Sequence, residues 1–217
     1  MSSYGGANIV TDGLVLSLDA ANVKSYPGSG ATWRDLSGNN NSGSLINGPT
    51  FSSANNGILS FNGSNQYANF GNIMPSTAYT KCIFFNISNL TAANNLISGG
   101  SGGTHYFYPG GGIYLRAGHF QGAELVSNTP IIANTWYHGA LTFSTTLGFL
   151  MYQNGINVAN NASTNTFTGG NILLVGSYDP GSNLLNGAIA SAQVYNRVLS
   201  ATEIFQNYNA TKSRYNL

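Results

Sequence analysis

Apolar residues in this chain come in short alternating runs, each cut off by Gly, Asn or Pro, and only beyond Ser200 does a helical period set in. A period of two places every second side chain on one face of a pleated strand, so such runs read as half-buried β-strands. Leu14, Leu16 and Leu18 share one face of a first strand, entered through the Asp12-Gly13 turn. Gly57 to Gly63 and Gln66 to Phe70 read as two strands joined by a tight Gly/Asn connection, a hairpin. Runs at 81–87, 105–108, 112–117, 136–143, 147–153 and 171–176 are rich in aromatic or branched residues, and Asn154-Gly155 is a hairpin turn. Short strands with turns at close, regular spacing predict two antiparallel sheets packed as a sandwich.

The chain closes on its strongest local signals. From Leu185 to Tyr195, Ile189, Ser191, Gln193 and Tyr195 fall on one side of the pleat and Ala188, Ala190, Ala192 and Val194 on the other. The small second face suits close packing, and Gly187 permits a close backbone approach where the strand begins. Ser200-Ala-Thr-Glu203 reads as a capping box, predicting a helix whose apolar stripe is Ile204, Phe205 and Tyr208.

The same closing segment, Gly-Ala-Ile-Ala-x-Ala-x-Val-Tyr-Asn-Arg-x-Leu-Ser-x-x-Glu-Ile, resembles the final strand and helix of concanavalin A-like, laminin G-like jelly-roll domains. Similar motifs precede it in the same order: Gly-Leu-Val-Leu-x-Leu-Asp-Ala from Gly13, Trp-x-Asp-Leu-Ser-Gly-Asn from Trp33, Asn-Gly-Pro-x-Phe from Asn47, and Phe-Asn-Gly-x-x-x-Tyr from Phe61. Trp136-Tyr-His138 and Tyr152-x-Asn-Gly155 fit the same pattern. The resemblance implies an all-β jelly-roll sandwich of two antiparallel sheets with a short C-terminal helix.

A length of 217 residues suits one such domain over 9–217, preceded by a Gly-rich N-terminal arm at 1–8 with no core residue of its own. Charged residues make up 6% of the chain, against roughly 25% in ordinary soluble domains, and the formal charge is +1. With no run of Lys or Arg, nothing steers the chain to nucleic acid or an anionic membrane, and no apolar run reaches spanning length. Cys82 is the single cysteine, so no intrachain disulfide forms, and burial is its expected role. The start, Met1-Ser-Ser-Tyr-Gly-Gly, lacks the basic and apolar regions of a secretion signal, so a soluble chain made in the cytoplasm is expected.

Motifs for catalysis are weak. Gly99-Gly-Ser-Gly-Gly103 matches a nucleophile elbow in letters, but the following Thr104-His-Tyr-Phe-Tyr108 reads as a strand where an elbow requires a helix. The six carboxyls, Asp12, Asp19, Asp35, Glu124, Asp179 and Glu203, are too dispersed to place a glycosidase pair on one strand. His105, His119 and His138 lack zinc-ligand spacing. No enzyme activity is therefore expected. Aromatic side chains offer another chemistry: Trp33, Tyr106, Tyr108 and Tyr114 are candidates for a platform on which sugar rings stack.

Related sandwiches hold Ca²⁺ at a rim, and family members commonly carry acidic residues before the Tyr of Phe-Asn-Gly-x-x-x-Tyr. Here those positions are the neutral Asn65 and Gln66, so no cofactor is expected, with calcium as the open alternative.

The opening Ile-Val-x-x-Gly-Leu-Val-Leu and the ending Tyr-Asn-Arg-x-Leu-Ser resemble free-standing domains of tailed-bacteriophage virion proteins. The resemblance implies a non-enzymatic structural subunit located in a virion, as capsid decoration or a tail or fibre part. Its partners would be other virion proteins or copies of itself. The alternative is a carbohydrate-binding module recognising a cell-surface or secreted glycan.

Overall fold

The computed structural model describes residues 8–100, 105–119 and 124–217. The arm expected at 1–8, apart from Asn8, and Ser101 of the Gly-rich motif lie outside the described residues. In chain order the strands are Leu14–Asp19 (β1), Thr32–Trp33 (β2), Gly43–Ile46 (β3), Thr50–Ser52 (β4), Ile58–Asn62 (β5), Tyr67–Asn72 (β6), Ala78–Ile87 (β7) and Ile97–Ser98 (β8). They continue with His105–Pro109 (β9), Tyr114–His119 (β10), Glu124–Pro130 (β11), Trp136–Ser144 (β12), Gly148–Gln153 (β13), Ile156–Asn161 (β14), Ile172–Val175 (β15) and Asn186–Tyr195 (β16). One α-helix, Ala201–Thr211 (α1), follows, so the all-β sandwich with a short C-terminal helix is what the chain forms.

One layer is an eight-stranded antiparallel sheet in the order β14-β13-β12-β7-β16-β5-β4, with β1 also paired to β16. The other layer joins a five-stranded sheet, β2-β3-β6-β15-β8, to a three-stranded one, β9-β10-β11. Backbone bonds from Leu96 N to Phe107 O and from Gly99 N to His105 O stitch the two together along β8 and β9. Between the layers lies the main core, with Leu16, Leu18, Ile83, Phe85 and Val194 from one side and Trp33, Phe70, Phe107, Leu115 and Leu173 from the other.

Two strand readings are corrected. β5 pairs with β4 and β16, while β6 pairs with β3 and β15, so the connection after Phe61 crosses between layers and is no hairpin. Leu59 and Phe61 enter the core from one layer, Ala68 and Phe70 from the other; alternation looks the same whether two strands pair or face each other. In β16 the register slips between Ile189 and Ser191. This bulge turns Ile189 to the same core as Ala192 and Val194, and Ala190 to the outer cluster with Phe84 and Tyr208. Gly187 is placed as expected, since a Cβ there would collide with the Asn86 carbonyl oxygen.

The Trp-x-Asp-Leu-Ser-Gly-Asn motif proves to be a turn built on Asp35. Its carboxylate accepts from the backbone N–H of Ser17 at 2.9 Å, Ser37 at 2.8 Å and Asn41 at 3.0 Å. At the helix start, Ser200 Oγ accepts from Glu203 N and Glu203 Oε2 accepts from Ser200 N, completing the capping box. Arg197 forks onto the same carboxylate at 2.6 and 3.1 Å. These bonds hold the Glu203 carboxyl down at about 2. Ile204 and Tyr208 are buried by α1, but Phe205, expected in the same stripe, is 47% exposed beside the Asn154-Gly155 turn. No described helix is long and apolar enough to cross a membrane.

Polar groups are enclosed as well. Lys81 is fully buried, donating to Ile97 O at 3.0 Å and to His105 Nδ1 at 2.7 Å, and desolvation holds its amine well below the usual lysine range. His119 bonds Tyr79 Oη at 2.9 Å through Nε2 and Asn165 O at 2.7 Å through Nδ1. His138, under the helix between the rings of Phe84 and Tyr208, has no hydrogen-bond partner on either nitrogen. Cys82 is buried, and its thiol is pushed up to about 12 by desolvation.

Candidate functional site

Strands β9 and β11, with β10 between them, and two loops assemble one aromatic cleft. On β9, Phe107 faces the core while Tyr106 and Tyr108 face outwards, their rings edge to face at 5.6 Å. β10 pairs with β9 so that Gly118 stands beside Tyr106 and Arg116 beside Tyr108; on its other side Gly118 stands beside Glu124 of β11. A glycine between Tyr106 and Glu124 leaves a notch in the sheet surface. The loop after β15 supplies Tyr178, held by a tight turn in which Tyr178 N donates to Ser182 O at 3.1 Å. Asn95 anchors that loop, since its Nδ2 donates to Asn183 O at 3.1 Å while its Oδ1 accepts from Ser98 Oγ at 2.7 Å. The result is a cleft of about 300 Å³ lined by Ala93, Asn95, Tyr106, Tyr108, Glu124, Tyr178 and Asn183.

The electrostatics suit hydrogen bonding better than nucleophilic attack. Burial, then the nearby Glu124 charge, pushes the Tyr106 phenol up to about 12, and Tyr108 is raised by the same causes. Both remain protonated donors at neutral pH. Glu124 is tied to Arg116 by an ion pair of 2.6 Å. Rings with C–H-compatible faces, phenol donors, amides and one carboxylate form the mixture that a sugar ring requires.

Of the four residues proposed from sequence, Tyr106 and Tyr108 meet in this cleft. Trp33 does not; it is fully buried in the core and has no exposed face on which a ring can stack. Tyr114 is 41% exposed further along β10, opposite Pro130, and outside the cleft lining. Sequence reading missed Tyr178, which sits in a loop without periodicity, and Arg116 and Glu124, which meet only through strand pairing. A larger cleft of about 940 Å³ lies against the outer face of β1 and β16, with Ser17, Asp19, Ser191, Gln193 and Arg214 in its lining. No aromatic ring lines it, and Arg214 is already forked onto Asp19 at 2.9 and 3.0 Å. Chemistry therefore favours the smaller cleft over the larger.

The rim at 62–66 does not fit calcium. Gln66 Nε2 donates to Asn47 O at 3.1 Å and to Gly48 O at 2.9 Å, and Asn47 Nδ2 donates to Asn65 O at 2.7 Å. Each of these carbonyl oxygens already accepts an amide donor, and residues 62–66 contain no carboxylate to balance a divalent cation's charge. Among the described residues no three His, Cys, Asp or Glu side chains cluster.

A two-layer jelly roll with a short C-terminal helix is the architecture of concanavalin A-like domains. The chain belongs to the Laminin_G_3 family, described as the concanavalin A-like lectin/glucanases superfamily, whose model matches residues 61–205. Among solved structures it is similar to domain 4 of AbnA, a GH43 extracellular arabinanase from Geobacillus stearothermophilus, in complex with arabinotriose. That match has a TM-score of 0.72 at 15% identity, over 90% of this chain and 98% of the domain. A Trypanosoma rangeli sialidase superposes with a TM-score of 0.72 at 17% identity, over 98% of this chain but 35% of the sialidase. The binding domain of paraclostridial mosquitocidal protein 1 gives 0.70 at 16% identity, over 92% of this chain and 52% of that one. The chain thus spans about a third of the sialidase and half of the toxin chain. Likeness at these identities concerns the fold alone. No curated protein matches the chain in sequence.

Proposed function

We propose that this protein is a non-enzymatic carbohydrate-binding module, and that the cleft formed by Tyr106, Tyr108 and Tyr178 is where the glycan sits. The observation that carries the reading is the outward pairing of Tyr106 and Tyr108 over a notch closed by Glu124 and by an amide-anchored loop. Rings give the sugar's apolar faces a surface to stack on; Asn183, the phenols and Glu124 take its hydroxyls. The arabinotriose complex of AbnA domain 4, matched over nearly the whole of both chains, supports the same reading. Binding without turnover is the expected chemistry, because among the described residues Glu124 is the one carboxylate lining the cleft, and a glycosidase requires two.

A virion setting would place the same cleft on a particle surface, with attachment through apolar and amide contacts that resist salt. None of the three structures named above is a virion protein by its description, so glycan binding takes first place. The test is titration with arabinotriose and with lactose. Tyr106→Ala and Tyr108→Ala should each weaken binding by about tenfold or more, with thermal midpoints unchanged, while Tyr114→Ala should bind as the native chain does. Equal affinity in all three variants would remove the cleft as the site.

A further inference from the structure

Charge at the cleft comes from Glu124, from Arg116 paired to it, and from Asp179. Glu124 is the single charged side chain in its lining, and Asp179 follows Tyr178 in the turn that closes the rim. Among the described residues Glu124 Oε1 has no partner, whereas Oε2 takes Arg116 Nη1 at 2.6 Å. The chain has seven Lys and Arg residues, and the other six stand elsewhere. Lys81 is inside the core, Arg197 is bound to Glu203 and Asp12, and Arg214 to Asp19. Lys212 lies over the rings of Phe205 and Tyr208. Arg34 follows β2 at the edge of the layer opposite β11, and Lys24 precedes Ser25, whose carbonyl oxygen accepts from Arg34 N. Residues 101–104 and 120–123 contain no charged side chain.

We infer that this cleft selects uncharged glycans, with Glu124 accepting sugar hydroxyls and turning away sugars that carry a carboxylate, such as sialic acid and uronates. The inference rests on the glycan reading above. A neutral sugar gives the free Glu124 oxygen hydroxyl donors, and a charge-assisted bond of that kind is stronger than a neutral one. A ligand carboxylate would instead face a like charge at close range, with the Arg116 guanidinium already paired to Glu124. Likeness to a sialidase therefore brings no sialic-acid preference to these residues.

The experiment is calorimetric titration of the full chain with four probes: arabinotriose and lactose as neutral sugars, 3′-sialyllactose and trigalacturonate as anionic ones. A neutral sugar should bind at least about tenfold tighter than either anion, with the gap narrowing from low to physiological ionic strength as the screening length falls from ~30 to ~8 Å. Glu124→Gln keeps the shape, releases Arg116, and should raise affinity for the anionic probes by about tenfold. Should that variant fail to fold, the salt series on the native chain decides alone. Anions binding as tightly as neutral sugars would overturn the inference and leave the glycan reading standing. If none of the four probes bound, both would fall.

Discussion

Replacing His138 by Phe should change how the protein responds to acid. The imidazole is fully buried between Phe84 and Tyr208 with both nitrogens unpartnered, and desolvation lowers it to about 3 from an ordinary value of 6.5. Between those two values the unfolded chain binds the proton and the folded chain does not. The contribution of His138 is thus fully present above pH 6.5 and is lost as pH falls towards the folded value. At 1.36 kcal/mol per unit, going from pH 7 to pH 4 costs about 3 kcal/mol through this one group. His119, lowered to about 4 chiefly by burial, acts in the same direction, as does His105, held well below its usual range by burial and then by Lys81. His119 costs about 3 kcal/mol more, and a total of about 6 kcal/mol is comparable with the whole stability of a typical domain, ~5–15 kcal/mol. Phe fills the same aromatic stack without a proton to accept, and it removes two unsatisfied nitrogens. Urea unfolding at pH 7, 5.5 and 4 should show the native chain losing stability steeply and His138→Phe losing about 3 kcal/mol less over that range. Parallel pH profiles for the two proteins would refute the argument.

Two further outcomes separate the helix contacts and the rim. Ile204→Ala should destabilise by about 3 kcal/mol and Phe205→Ala by about 1 kcal/mol, because the first side chain is fully buried and the second half exposed; equal urea midpoints for the two variants would contradict the packing described. Chelation with EDTA should leave the thermal midpoint unchanged, since amide donors occupy the Asn47, Gly48 and Asn65 carbonyls, and a fall in midpoint reversed by added Ca²⁺ would show that a cation is held after all.

What was legible in the sequence was local. Alternation marked most strands, Asn154-Gly155 marked the β13–β14 hairpin with both residues at positive φ, and Ser200 with Glu203 marked the helix start. Each depends on residues a few positions apart, whose geometry the backbone dictates. β11 was not recognised, because Glu124–Pro130 alternates Leu125 and Ser127 inwards and has no aromatic residue to announce a strand. Partners of β5 and β6 were misread, and the face of Ile189 was misplaced, because neither strand pairing nor a bulge alters the apolar pattern along one strand. Trp33 and Tyr106 look equally available in a string of letters, yet one is sealed in the core and the other lines a cleft. Glu124 reaches Tyr106 only across Gly118 of an intervening strand, and Tyr178 arrives from a loop more than fifty positions later. Composition and spacing decided that the chain folds as a sandwich; the cleft was decided by sheet register, which brings distant residues side by side and which local sequence does not encode.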